Sequence, residues 1–187
     1  MLNNQPQMFR IYFQPNYFYP EVNEVWKNVV LRMPHQYMSI EDFMNAQIKS
    51  ISFPAISGNT KSQQLGQYKI DKRPGKPVGA ILNKTFNLSI KLTESYATYL
   101  IMRQQYTLYL KLIETKELYW PPVILEFLND SGHAYYRSVY GQITPNSMSE
   151  LSLNYSATLA QHTEFSMNFN FNYLEEYINY NGDFIKL

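Results

Sequence analysis

The sequence contains no cysteine, so it offers neither a disulfide framework nor a thiolate metal site, and its stability has to come from packing. It also lacks an excess of either charge. Its 16 Lys and Arg stand against 15 Asp and Glu, and a net charge of +1 excludes nucleic-acid binding through a broad basic surface. No run approaches the ~20 apolar residues of a spanning helix, and the start Met1-Leu2-Asn3-Asn4-Gln5-Pro6 is polar, so no membrane anchor or targeting leader is expected. Glycine is scarce at 7 residues, and no Gly-rich phosphate loop or Gly-x-Ser-x-Gly nucleophile elbow occurs. The histidines His35, His133 and His162 show no metal-ligand spacing. The adjacent pairs Glu41/Asp42 and Glu175/Glu176 are poor candidates for a dyad, because neighbouring side chains in a strand point to opposite faces. No catalytic, cofactor-binding or metal-binding residue is expected, and the chain reads as a non-enzyme.

What the sequence has in quantity is aromatic residues, 17 Tyr and 11 Phe in 187 residues, a length that suits one domain. Tyr and Phe fit a pleated, half-buried surface, and the periodicity agrees. In Lys84 to Thr93 the apolar Phe86, Leu88, Ile90 and Leu92 alternate with polar residues. Glu150 to Ser156 repeats this alternation. In Glu164 to Tyr173 every odd position is apolar and the even ones after Glu164 are Ser or Asn. Further strands are expected at Met8–Phe13, Val29–Met33 and Gln47–Phe53, and a hairpin joins Val123–Leu128 to Tyr135–Ile143 through Asn129-Asp130-Ser131-Gly132. The fold expected is mainly β (α+β), a barrel or sandwich.

Two helices interrupt the strands. Ser39, three residues before Asp42, resembles a capping box and starts a short helix through Met44. Thr93 is expected to cap a longer helix from Glu94 to about Tyr109, with Ala97, Leu100, Ile101 and Leu108 on its packed face and Arg103, Gln104 and Gln105 directed away. Between them, residues 57–79 are long, polar and punctuated by Pro and Gly, and they carry Lys69, Asp71, Lys72, Arg73 and Lys76. A stretch of this kind in a compact domain is functional or disordered, and it is read as an extended arm.

The C-terminal third carries a resemblance. Pro145 to Tyr155, a connection of about eight residues, and the alternating strand Glu164 to Tyr173 closing on Leu174-Glu175 resemble the end of T-even-type contractile bacteriophage tail tube proteins. In that family a proline-led turn, a short amphipathic strand and a final strand follow in this order. Ser52-Phe53-Pro54-Ala55 resembles the step before the family's long loop, and Lys84 to Tyr109 matches its strand-then-helix order. Residues 14–40 stand out as an insertion and 177–187 as a C-terminal extension within a single 1–187 domain.

The resemblance implies a virion protein assembled in the host cytoplasm, whose hexameric rings stack into a tube that conducts DNA without binding it specifically. Its partners would be copies of itself and the tail sheath and baseplate proteins. On this reading Asn87, Ser89, Ser152, Asn154, Ser166, Asn168, Asn170 and Asn172 line the channel. A neutral hydroxyl and amide wall gives passing phosphates few cationic holding points. Lys69, Asp71, Lys72, Arg73 and Lys76 would belong to an inter-ring arm. Two alternatives stay open beside the repeating subunit: a baseplate tube initiator, and a non-phage β-sandwich that binds carbohydrate or peptide.

Overall fold

The structure is a computed structural model that describes residues 9–33, 37–52, 61–65, 68–72, 84–93, 95–114, 118–151 and 164–187. Its described elements are β1 (Phe9–Phe13), α1 (Pro20–Val30), α2 (Ile40–Asn45), β2 (Ile48–Ile51), β3 (Lys61–Leu65), β4 (Tyr68–Lys72), β5 (Thr85–Lys91), α3 (Ala97–Ile113), β6 (Val123–Leu128), β7 (Ala134–Met148), β8 (Glu164–Tyr180) and β9 (Asp183–Lys186). The mainly β, α+β class expected from the alternation is what forms.

Seven strands make one antiparallel sheet in the order β1-β6-β7-β8-β5-β2, with β9 paired to the far end of β8. The sheet curls until its two edges, β1 and β2, approach each other. At that seam Asn45, the last residue of α2, bonds both backbone groups of Phe13. Its Oδ1 accepts from the Phe13 N–H at 2.7 Å and its Nδ2 donates to the Phe13 carbonyl at 3.3 Å. One amide thus does for β1 what a neighbouring strand would do.

The core follows from the alternation. Phe86, Leu88 and Ile90 of β5 face Phe165, Met167, Phe169 and Phe171 of β8, all buried. Aromatic rings pack against one another at its centre. Trp120 lies 5.5 Å from Phe169 and 6.0 Å from Tyr17, and Phe86 stacks on Phe169 at 5.1 Å. Burial of this kind contributes about 1.5–3 kcal/mol per large apolar side chain.

The segment expected as a strand at Val29–Met33 is instead the end of α1 and a turn. Pro20 opens that helix, Glu21 sits favourably in its first turn, and Val22, Trp26 and Val30 recur at helical spacing. Val22 and Val30 are buried and Trp26 packs on the core, so a helical face outweighs the local β-branched run. Residues 14–40 also supply Tyr17, Phe18 and Ile40 to the core.

The short helix forms as expected, with the Ser39 hydroxyl accepting from the Asp42 N–H at 3.1 Å. The long helix starts later than expected. Tyr96 takes a left-handed backbone (φ +54°) just before Ala97, and the Thr98 hydroxyl accepts from the Thr93 N–H at 3.4 Å. Gln105, expected to point away, is fully buried, while Leu100 is exposed. Gln105 Oε1 accepts from the Tyr19 N–H at 2.9 Å and Nε2 donates to the Tyr17 carbonyl at 3.4 Å. A polar residue has taken a core position because it satisfies the backbone of the β1–α1 connection.

The proline-led turn at Pro145 does not form: Pro145 to Met148 continue β7, with a register shift between Pro145 and Ser147 that absorbs the proline. Of the strand expected at Glu150–Ser156, Glu150 and Leu151 are not in a strand, and residues 152–156 lie outside the described residues. The β6–β7 hairpin matches expectation, with the Asn129 side chain accepting from the Ser131 and His133 N–H groups. Residues 177–187 finish β8 and return as β9 through Asn181 and Gly182, whose φ values of +53° and +99° suit a two-residue hairpin turn.

Candidate assembly surface

Pairing decides which polar side chains share a face. Across β5 and β8, Asn87 pairs with Asn168, Ser89 with Ser166, and Thr85 with Asn170. The ladder extends over β7, where Thr144 pairs with Asn170 and Ser147 with Asn168, and over β2, where Ser50 pairs with Ser89. A band of hydroxyl and amide groups therefore crosses four strands opposite the aromatic core. Side-chain bonds knit it together: Asn168 Nδ2 donates to Ser147 Oγ at 3.2 Å, and Asn172 Nδ2 donates to Gln142 Oε1 at 3.1 Å. Six of the expected channel residues, Asn87, Ser89, Ser166, Asn168, Asn170 and Asn172, thus come together. Ser152 and Asn154 lie outside the described residues.

Charge within the band is compensated. Glu164 accepts from Ser89 Oγ at 2.8 Å and from Lys49 Nζ at 3.1 Å, and these two bonds hold its carboxyl below the usual carboxylate range. The same group lines a shallow depression with Ser89, Ser149, Glu150 and Ser166. Among the described residues no group of three His, Cys, Asp or Glu could hold a metal ion. No helix among them is long and apolar enough to cross a membrane.

The same face ends, on β1, β6 and β7, in a charged cluster that periodicity does not reveal. Glu126 pairs across strands with Arg10 on one side and Arg137 on the other. Its side chain is completely buried and accepts from Arg10 Nε, from Arg137 Nε at 2.7 Å and from the Tyr12 hydroxyl at 3.1 Å. Burial alone would raise the Glu126 carboxyl, but the two guanidinium bonds outweigh it and leave the group below its ordinary range. The Arg137 guanidinium also lies 3.8 Å over the Phe184 ring of β9, and Lys186 of β9 pairs with Glu175 at 2.5 Å, which fastens the last hairpin to the sheet. In the sequence, Val123 to Leu128 reads as an apolar run broken by one Glu. The signal was that Glu together with Arg10 and Arg137 at matching strand positions.

The segment expected as an arm carries paired backbone: β3 and β4 form a separate two-stranded ladder, with Lys61 opposite Lys72 and Leu65 opposite Tyr68. Lys69, Asp71 and Lys72 are on β4, while Arg73 and Lys76 lie outside the described residues.

No protein-family model matches the chain, and no curated protein matches it in sequence. Solved structures share its general layout. The tube-terminating cap of the anti-feeding prophage aligns at a TM-score of 0.45 and 11% identity, over 71% of this chain and 80% of that one. The sheath-tube complex of an extracellular contractile injection system in its extended state gives 0.43 and 13%, over 71% and 81%. Hcp1 from Salmonella typhimurium gives 0.42 and 9%, over 96% and 92%. At these values the likeness is one of fold and carries no functional conclusion.

Proposed function

We propose that this chain is a structural subunit of the inner tube of a contractile tail and that it works by assembling into rings. The observation that carries this reading is the two-sidedness of the curled sheet. One face holds the aromatic core and its helices, and the other presents the Asn and Ser ladder across β2, β5, β8 and β7 with its charge neutralised. Such a face suits a hydrated wall past which a polyanion slides without being held. The resemblance in the C-terminal third supports the finer assignment: hexameric rings, stacked, with Asn87, Ser89, Ser166, Asn168, Asn170 and Asn172 toward a channel that passes DNA, in a phage virion with sheath and baseplate partners. No chemical turnover is part of this role.

Negative-stain electron microscopy of the purified chain tests the reading. Six-fold rings or stacked tubes are expected as concentration rises. Dispersed monomers at the highest attainable concentration would overturn it, as would a density map with the Asn and Ser ladder on the tube exterior.

A further inference from the structure

Pairing across β1, β6, β7 and β8 aligns Ile11, Leu125, Ser138 and Glu176 in one row of the core face. Ile11 and Leu125 are buried, as a core row requires. The row then turns polar: Ser138 is fully buried, and Glu176 stands half-buried opposite it. Residues directly opposite in an antiparallel pair hold their Cβ atoms about 4.5–5.5 Å apart, so the hydroxyl and the carboxyl come within reach of one small molecule. Tyr136 and Tyr140, two residues to either side of Ser138 on β7, bring two more hydroxyls to the same face. Burial first, and then the Glu176 carboxyl beside it, push the Tyr136 hydroxyl up to about 12. Burial also raises Tyr140, with Tyr136 and Glu176 adding to it. One carboxyl and three hydroxyls thus share one part of the core.

Two of these groups have no protein partner. Ser138 and Tyr140 are both 0% exposed, and among the described residues nothing hydrogen-bonds the Ser138 Oγ or the Tyr140 hydroxyl. Ser138 comes near enough to Tyr136 to offset part of its shift, but not in the geometry of a hydrogen bond. A buried hydroxyl without a partner loses its hydration and gains nothing in return. A buried water molecule answers this need, because it makes about three hydrogen bonds and can donate as well as accept. A hard cation fits the group poorly, since it needs about six oxygen ligands and only one carboxyl is here. The partial exposure of Glu176 leaves a way in from solvent.

We infer that a water molecule is held between β7 and β8, with the Ser138 and Tyr140 hydroxyls donating to it and the Glu176 carboxylate accepting from it. It joins the two strands by a side-chain bridge in addition to their backbone ladder. A high-resolution crystal or cryo-EM map of the full chain is expected to show density within about 2.6–3.2 Å of the Ser138 and Tyr140 oxygens. A map in which these hydroxyls bond each other or another protein group, or in which the site is dry, would overturn the assignment. Urea unfolding gives a second readout whose sign decides. Ser138→Ala and Tyr140→Phe are each expected to lower the folding equilibrium constant at least threefold, and the double variant to lose less than the product of the two, because both act through one molecule. Single variants as stable as the unaltered chain, or more stable, would show the hydroxyls to be unpaired and refute the bridge. Replacing sodium chloride by choline chloride at equal ionic strength is expected to leave the folding constant unchanged. A threefold loss in the unaltered chain that is absent in Ser138→Ala would put a small cation in the site and overturn the assignment to water.

Discussion

Replacing Gln105 by Leu isolates two hydrogen bonds on which the β1–α1 connection depends. The side chains are close in volume, so little cavity arises, and what is lost is the acceptor for the Tyr19 N–H and the donor to the Tyr17 carbonyl. Each buried backbone group left without a partner costs about 1–3 kcal/mol, and the gain from no longer burying an amide returns part of it. The net loss expected is about 2–4 kcal/mol, because Tyr17 and Phe18 beside these bonds are themselves in the aromatic core and cannot move out to water cheaply. For a chain of this size roughly 2–4 °C of melting temperature follows each kcal/mol, so thermal unfolding should begin about 4–16 °C lower. Urea unfolding followed by Trp fluorescence measures it, with Gln104→Leu as comparison. Gln104 accepts one bond from Trp26 Nε1 at the half-buried edge of the same helix and is expected to lose less. A Gln105→Leu protein within about 0.5 kcal/mol of the unaltered chain would refute the assignment of Gln105 as the clasp of this connection.

Glu126 keeps its charge to lower pH in the folded chain than in the unfolded one, so its contribution is complete above the unfolded carboxylate value of about 4.3 and is lost as pH falls through the folded one. Glu126→Gln is expected to lower stability at pH 7 by about 1–3 kcal/mol and to flatten the acid limb of the stability profile; an unchanged acid limb would refute it. A methyl group at Gly141 would lie 2.0 Å from Tyr173 Cζ, so Gly141→Ala displaces that ring, costing about 0.5–1.5 kcal/mol, whereas in a Tyr173→Ala background the same change is expected to cost almost nothing. Equal costs in the two backgrounds, read from denaturant midpoints, would show that the ring is not what Gly141 accommodates. Replacing residues 59–77 by a short Gly-Ser linker is expected to leave folding intact by circular dichroism and to give rings that no longer stack, and full-length tubes at the normal concentration would remove the arm from the assembly mechanism.

Strict alternation made β5 and β8 legible, because one dry and one wet face leave a period of two. The Asn and Ser ladder was legible for the same reason. Elements settled by distant contacts were not. Val29-Val30-Leu31 has the composition of a strand, and only the packing of Val22, Trp26 and Val30 on α2 and α3 makes it the end of a helix. Gln105 looks like a solvent residue until the backbone of Tyr17 and Tyr19 is placed beside it. Pro145 reads as a turn, yet a register shift lets it stay in a strand. Glu126 is legible only when β1 and β7 are known to flank it. The β8–β9 hairpin carried a usable signal in Asn181-Gly182, which the reading of 177–187 as a mere extension passed over.

The edges of the sheet decide how far copies of this chain can join by strand pairing alone. Exposed strand edges are the simplest route to joining copies, and this sheet offers little of them. β1 and β2 turn toward each other inside one chain, and the Asn45 amide already occupies the Phe13 end of β1. β9 pairs with β8 on one side, but it is four residues long and carries Asp183 and Lys186, so backbone pairing along its outer edge would add only a few hydrogen bonds, each worth about 0.5–1.5 kcal/mol net. A short charged edge is what keeps strands from joining indiscriminately. Covering Ile178, Tyr180 and Ile185, exposed at 44%, 66% and 50%, would supply more, at about 25 cal/mol for each Å² of apolar surface. Backbone pairing at this edge is therefore the smaller source of contact free energy, and the exposed apolar side chains of the hairpin are the larger one.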